Sequence, residues 1–148
     1  MRLSTKGRYG VRLMIDLSAC KNGNPGVLKN IAERQGVSEK YLWKMIPPLK
    51  SAGLIKSLRG TKGGYVLSKP PAEISLKELL SVLEGPLSLA ECVDTPSVCK
   101  RSDFCVTRDI WKEMSEKIYQ MFDSVKLKDM ATKYESKLSD PLNSSMPK

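Results

Sequence analysis

Between residues 28 and 67 glycines punctuate the chain so closely that only short elements fit. Ile31 and Ala32 put an apolar face on a helix from Leu28 to Gln35, and Gly36-Val37 then makes a tight turn. Ser38 is a good cap for a second helix, Glu39 to Ala52, in which Tyr41, Leu42, Met45, Ile46 and Leu49 recur at helical spacing. Pro47-Pro48 removes two backbone donors, so a kink or break is expected near residue 47. Gly53 closes the helix as a left-handed cap. Leu54 to Arg59, a glycine-rich turn from Gly60 to Gly64, and Tyr65 to Leu67 predict a β-hairpin. Helix, turn, helix and hairpin in that order make a winged helix. A nucleotide-binding reading of Gly60–Gly64 fails, because a phosphate loop needs a following Lys-Ser/Thr and a helix, and a strand follows here.

Flanking segments extend this plan. A first helix is expected from about Thr5 to Cys20, capped by Ser4 or Thr5, with a turn over 22–26. Ser75 and Glu78 have the spacing of a capping box, opening a helix that runs to Glu84 and stops at Gly85-Pro86. A cysteine-bearing loop spans roughly Leu87 to Val106. A long helix starts near Thr107, with Ile110, Trp111, Met114, Ile118, Met121, Phe122 and Val125 as an apolar stripe. A last short helix is expected over 125–135 and a disordered tail over 139–148. The fold class is therefore mainly α with a small β-hairpin wing. Residues 1–71 form a winged helix-turn-helix domain, and 72–138 hold the cysteine loop and a dimerisation helix.

Charge separates the same two parts. Residues 1–66 hold 13 Lys/Arg against 3 Asp/Glu, whereas residues 67–148 hold 12 against 13. A basic half joined to a neutral half fits a nucleic-acid binder, although a merely solvated basic face produces the same count. The chain has no His, which removes Ser-His and Cys-His catalytic pairs and imidazole ligation; no paired-carboxylate motif is present either, and no enzyme is expected. No run approaches a membrane span, and the opening residues lack the apolar stretch of a signal peptide, so a cytoplasmic location is expected.

Four cysteines occur, at 20, 92, 99 and 105. In a reducing compartment, three within fourteen residues point to a metal site rather than disulfides. Cys92, Cys99 and Cys105 are separated by six and five residues, whereas structural zinc favours pairs two to four apart. Thiolates are the usual ligands of iron–sulfur clusters, so a 2Fe–2S or 4Fe–4S cluster is the leading expectation, with zinc or uncoordinated redox thiols as rivals. A loop is expected to turn the three thiolates toward one point. Cys20 reads as a small packed residue.

The opening Met1-Arg2-Leu3-Ser4-Thr5-Lys6-Gly7-Arg8-Tyr9-Gly10, together with Ala52-Gly53-Leu54, Ser57-Leu58-Arg59-Gly60, Gly63-Gly64-Tyr65-Val66-Leu67 and Leu83-Glu84-Gly85-Pro86, resembles the Rrf-two (Rrf2) family of bacterial regulators. The likeness runs over about residues 1–135. It implies a homodimeric winged-helix repressor that binds a palindromic operator in double-stranded DNA and dimerises through Ile110, Trp111, Met114, Ile118, Met121 and Phe122. The three loop cysteines resemble the family's cluster-binding branch, which implies sensing of iron–sulfur status, oxygen or redox state, or nitric oxide. The alternative is the cluster-free branch, which regulates cysteine and sulfur metabolism under a metabolic-enzyme partner. Two ligand positions of cluster-binding members are occupied here by Arg8 and Arg108, which leaves the fourth ligand open among Asp94, Asp103, Asp109, Cys20 and a small exogenous molecule.

On that fold, the start of the second helix reaches base edges with Ser38, Glu39, Lys40, Tyr41 and Lys44, and the wing presents Arg59 and Lys62 to the minor groove or backbone. Trp43 stands where cluster-binding members carry Glu; it either packs in the core or touches a thymine methyl group.

Overall fold

The structure, a computed structural model, describes residues 2–20 and 24–140. Helix α1 (Thr5–Ala19) begins where the Ser4 hydroxyl accepts the Gly7 backbone N–H. Helices α2 (Leu28–Gln35), α3 (Glu39–Trp43) and α4 (Ile46–Ser51) follow. Gly36 lies at φ 60°, the left-handed conformation that lets α2 turn sharply into α3. The span 39–52, expected to kink or break near residue 47, is two helices. The break falls at Lys44-Met45, before the prolines, and Pro47 and Pro48 sit in the first turn of α4, where a missing N–H costs nothing.

The hairpin pairs β1 (Ile55–Leu58) with β2 (Gly64–Leu67) in antiparallel register, Ile55 opposite Leu67 and Leu58 opposite Gly64. Gly26 adds a one-residue third edge, exchanging backbone hydrogen bonds of 2.8 and 2.9 Å with Tyr65. This contact anchors the wing to the segment just before α2. The expected turn over 22–26 lies partly outside the described residues.

After a 3-10 turn at Pro71–Glu73 come α5 (Leu76–Glu84), α6 (Glu91–Asp94), 3-10 turns at Pro96–Val98 and Ser102–Phe104, α7 (Val106–Ser124) and α8 (Leu127–Ser139). Only half of the expected capping box forms. The Ser75 hydroxyl accepts the Glu78 N–H at 3.2 Å, but the Glu78 carboxylate turns away to Lys69 at 2.7 and 2.9 Å. The freed Ser75 hydroxyl hydrogen goes to Asp123 at 3.0 Å, and backbone bonds Leu76–Val125 and Leu127–Ile74 lock the α7–α8 corner against the start of α5.

Helix α8 is longer than the short helix expected over 125–135 and begins two residues later. It returns to α1, burying Leu127 and Ala131. The core therefore runs through both parts of the chain: Leu13 and Met14 of α1, Ile31 of α2, Leu49 of α4 and Leu54 meet Ile74, Leu79, Leu83 and Leu127. Each such side chain contributes about 1.5–3 kcal/mol by leaving water. Helices α1 and α5 touch closely at Gly10, where a Cβ would meet Leu83 at 2.4 Å. The expected tail over 139–148 lies outside the described residues beyond Asp140.

Beneath this layer Asp16, 4% exposed, accepts Arg34 at 3.2 and 2.6 Å and Gln35 at 3.0 Å. Gln35 also donates to Tyr134 of α8 at 3.1 Å. One buried carboxylate thus ties α1, α2 and α8 together. Among the described residues no helix is long and apolar enough to cross a membrane.

Candidate nucleic-acid interface and cysteine loop

Helix α3 and the wing share one exposed surface. Ser38 caps α3 by accepting the Tyr41 N–H at 3.2 Å, so its oxygen is engaged from within the protein. Lys40 of α3 and Lys44 at its C-terminal cap are exposed, and Arg59 and Lys62 are exposed at the wing turn, where Gly60 has φ 115°. Tyr41 is half-buried: its ring meets Tyr9 edge-on at 5.7 Å and carries the Lys44 ammonium 5.8 Å from its centroid. Arg12 lies 5.3 Å from the Tyr9 centroid, so a basic–aromatic ladder links α1 to α3. Sequence periodicity marks Tyr41 as an apolar position but does not reveal this stack.

Glu39 and Trp43 form a pair, with the indole Nε1–H donating to Glu39 Oε1 at 3.3 Å. The two lie four residues apart, one helical turn, which is the spacing that makes such pairs. The core placement of Trp43 is not what the structure adopts: the ring stands exposed, edge-on to Tyr65 of the wing at 6.2 Å.

The cysteine loop is held at its start by α7. Tyr119 Oη accepts the Leu87 N–H at 3.2 Å, Ser115 Oγ accepts the Leu89 N–H at 3.0 Å, and Arg108 Nε donates to the Cys92 carbonyl at 2.8 Å. Positions 108, 115 and 119 fall on one helical face, beside the apolar stripe. On the stripe, Ile110, Trp111, Met114 and Met121 are exposed, while Ile118 and Phe122 are half-buried. Cys92 lies in α6, Cys99 follows a 3-10 turn, and Cys105 caps α7; all three are half-buried. The Cys105 thiol sits 3.2 Å from the Thr107 hydroxyl, and that contact, with backbone N–H groups of the first α7 turn, holds its pKa below the ordinary thiol value.

The expectation of one shared point is corrected here. Among the described residues no group of three His, Cys, Asp or Glu side chains is gathered closely enough to hold a metal ion. The donor chemistry suits a thiolate-ligated cluster, but this arrangement does not enclose one, with Cys92 in α6, Cys99 after a 3-10 turn and Cys105 at the start of α7. Cys20 is a packed residue at the end of α1, its thiol 3.5 Å from the Asp16 carbonyl and its pKa pushed up by burial and by the Asp16 charge.

Comparison with known proteins agrees with this architecture. The Rrf2 family model, described as an iron-dependent transcriptional regulator, matches residues 3–133. The HTH-type transcriptional regulator CymR of Bacillus subtilis is 39% identical over 132 residues, covering 89% of this chain and 91% of that protein. The HTH-type transcriptional regulator IscR of Photorhabdus laumondii is 33% identical over 135 residues, covering 91% of this chain and 82% of IscR. The solved structure of T. potens IscR superposes with a TM-score of 0.74 at 37% identity, covering 100% of this chain and 93% of that one. These relatives are transcriptional regulators, not enzymes.

Proposed function

This chain belongs to the Rrf2 family of transcriptional regulators, and from that premise we propose that it is a homodimeric repressor of a palindromic operator, switched by an iron–sulfur cluster on its cysteine loop. One observation carries this reading: α7 holds the start of the cysteine loop on one face and bears an exposed apolar stripe on another. A change in the loop therefore acts directly on the helix proposed to join two copies. That helix is in turn locked at its end to the start of α5, whose Leu79 and Leu83 pack in one core with α1, α2 and α4.

Cys92, Cys99 and Cys105 would hold the cluster, which supplies a tie sensitive to iron, oxygen or nitric oxide. Between α6 and α7 the loop contains only single 3-10 turns, so bringing the thiols together costs little regular structure. DNA contact falls to Lys40 of α3, to Lys44 at its end and to Arg59 and Lys62 of the wing, with Ser38, Glu39 and Tyr41 shaping the helix that presents them. Cytoplasmic residence accords with that role.

A second reading is favoured by the ungathered thiols and by the likeness to CymR: a cluster-free regulator of cysteine or sulfur metabolism that answers to a metabolic-enzyme partner. Anaerobic purification of the full chain, with visible absorption, iron and acid-labile sulfide measured together, separates the two. A brown protein with matched iron and sulfide supports the cluster. A colourless protein without iron overturns it, and one equivalent of zinc replaces it with a zinc site.

A further inference from the structure

We propose that Trp43, Val27 and Leu58 form an apolar reader of duplex DNA whose occupant is the 5-methyl group of a thymine. This rests on the DNA-binding reading above and names the part of the duplex that this surface takes. Trp43 is 51% exposed, Val27 42% and Leu58 40%. They line a cavity of about 260 Å3 between α3, the start of α2 and the wing, with Tyr65 and Gly64 among its walls.

The state of the indole decides what this cup reads. Its Nε1–H is taken by Glu39, and its ring is steadied edge-on against Tyr65. The rest of the ring offers hydrocarbon and no donor. Glu39 has one carboxylate oxygen committed to the same bond, which weakens its expected role as an acceptor from cytosine. At Trp43, therefore, hydrogen-bond readout gives way to apolar contact. On the major-groove edges of the base pairs the apolar group is the thymine methyl.

Charge argues for DNA over an apolar peptide as the occupant. Lys29 lines the same cavity. Lys40 shares α3 with Trp43 and Lys44 caps its end, Lys56 shares β1 with Leu58, and Arg59 and Lys62 follow in the wing turn. An apolar cup surrounded by cations matches a polyanion that carries methyl groups on its base edges.

The test begins with a pool of random-sequence duplexes, from which the full-length protein selects its preferred sites. Each thymine of the enriched duplex is then replaced singly by deoxyuridine, which removes only the methyl group. At one symmetry-related position per half-site the replacement should weaken binding about fourfold, the value of one buried methyl-sized group. Trp43→Ala should bind the thymine and uracil duplexes equally, and Val27→Ser should narrow the difference. Far-ultraviolet circular dichroism and a melting curve like the parent's show that Trp43→Ala is folded. Equal binding of the two duplexes by the parent protein at every position overturns the proposal, as does full discrimination by Trp43→Ala. Failure to enrich any sequence overturns the DNA reading itself, and this inference with it.

Discussion

The guanidinium of Arg108 donates from Nε to the main-chain carbonyl of Cys92 at 2.8 Å, across sixteen residues of sequence. One residue of the long helix thereby sets where the first cysteine of the loop stands. A hydrogen bond of this kind contributes about 1–1.5 kcal/mol, or roughly tenfold in the population of a released loop. Arg108→Ala is accordingly expected to raise the alkylation rate of Cys92 by up to about tenfold in the metal-free protein, read by peptide mass spectrometry. An unchanged rate would show that Ser115 and Tyr119 hold the loop without it.

Arg59 is exposed at the wing turn, beyond the last strand residue of β1. Arg59→Ala should weaken binding of a selected duplex by about 1–3 kcal/mol if the side chain reaches the minor groove. Lys62→Ala should lower affinity for all sequences alike and reduce the slope of affinity against salt by about one ion. Titrations at several salt concentrations measure both, and an Arg59→Ala protein of parental affinity removes the wing from recognition.

The exposed stripe of α7 predicts self-association. Ile118 is half-buried in one chain, and a second copy seated on Ile110, Met114 and Met121 would bury it further. Ile118→Asp places an unpaired charge there, so its dimer should dissociate at concentrations at least tenfold higher than the parent's. Sedimentation equilibrium decides this, and a parent protein that is monomeric at micromolar concentration rules the dimer out.

Replacing Cys92, Cys99 or Cys105 singly with Ser should remove or destabilise the visible absorption of anaerobically prepared protein, and Cys20→Ser should leave it intact. Retention of full absorption by any one loop variant removes that cysteine from the ligand set.

Cys20 supplies a pH prediction. Burial and the Asp16 carboxylate raise its thiol pKa in the folded chain. The unfolded chain then loses this proton first, so stability is complete below the ordinary thiol range of about 8.5 and falls as pH rises through the raised folded value. Cys20→Ala should lose less stability than the parent between about pH 8 and 10. Denaturant titrations across that range test it. At neutral pH, Arg34→Ala strands the buried Asp16 charge on Gln35 alone and should cost about 2–3 kcal/mol.

The winged-helix order was legible from sequence because the signals that set it are local. Helical periodicity, Ser4, Ser38 and Ser75 as caps, left-handed Gly36 and Gly53, and the glycine turn of the hairpin each act within a few residues. The basic character of residues 1–66 and the apolar stripe of α7 are read by counting and by periodicity along the chain. Spacing placed the helix break near residue 47, two to three residues beyond where it falls, since two prolines serve equally to end one helix or to open the next. It also misassigned Glu78, whose carboxylate finds a stronger partner in the Lys69 ammonium than in its own helix's first N–H.

What only the tertiary structure decided are pairings between residues that sequence keeps far apart. Tyr134 meets Gln35 across 99 residues, and Leu127 enters the core of the first helices. Trp43 leaves the core for Tyr65, and Arg108 reaches back to Cys92 while the three loop thiols stay in separate turns. Periodicity states which face of a helix is apolar, not which neighbour covers it. That choice follows from how the helices pack together, and it determines which cation, hydroxyl or ring each polar group finally meets.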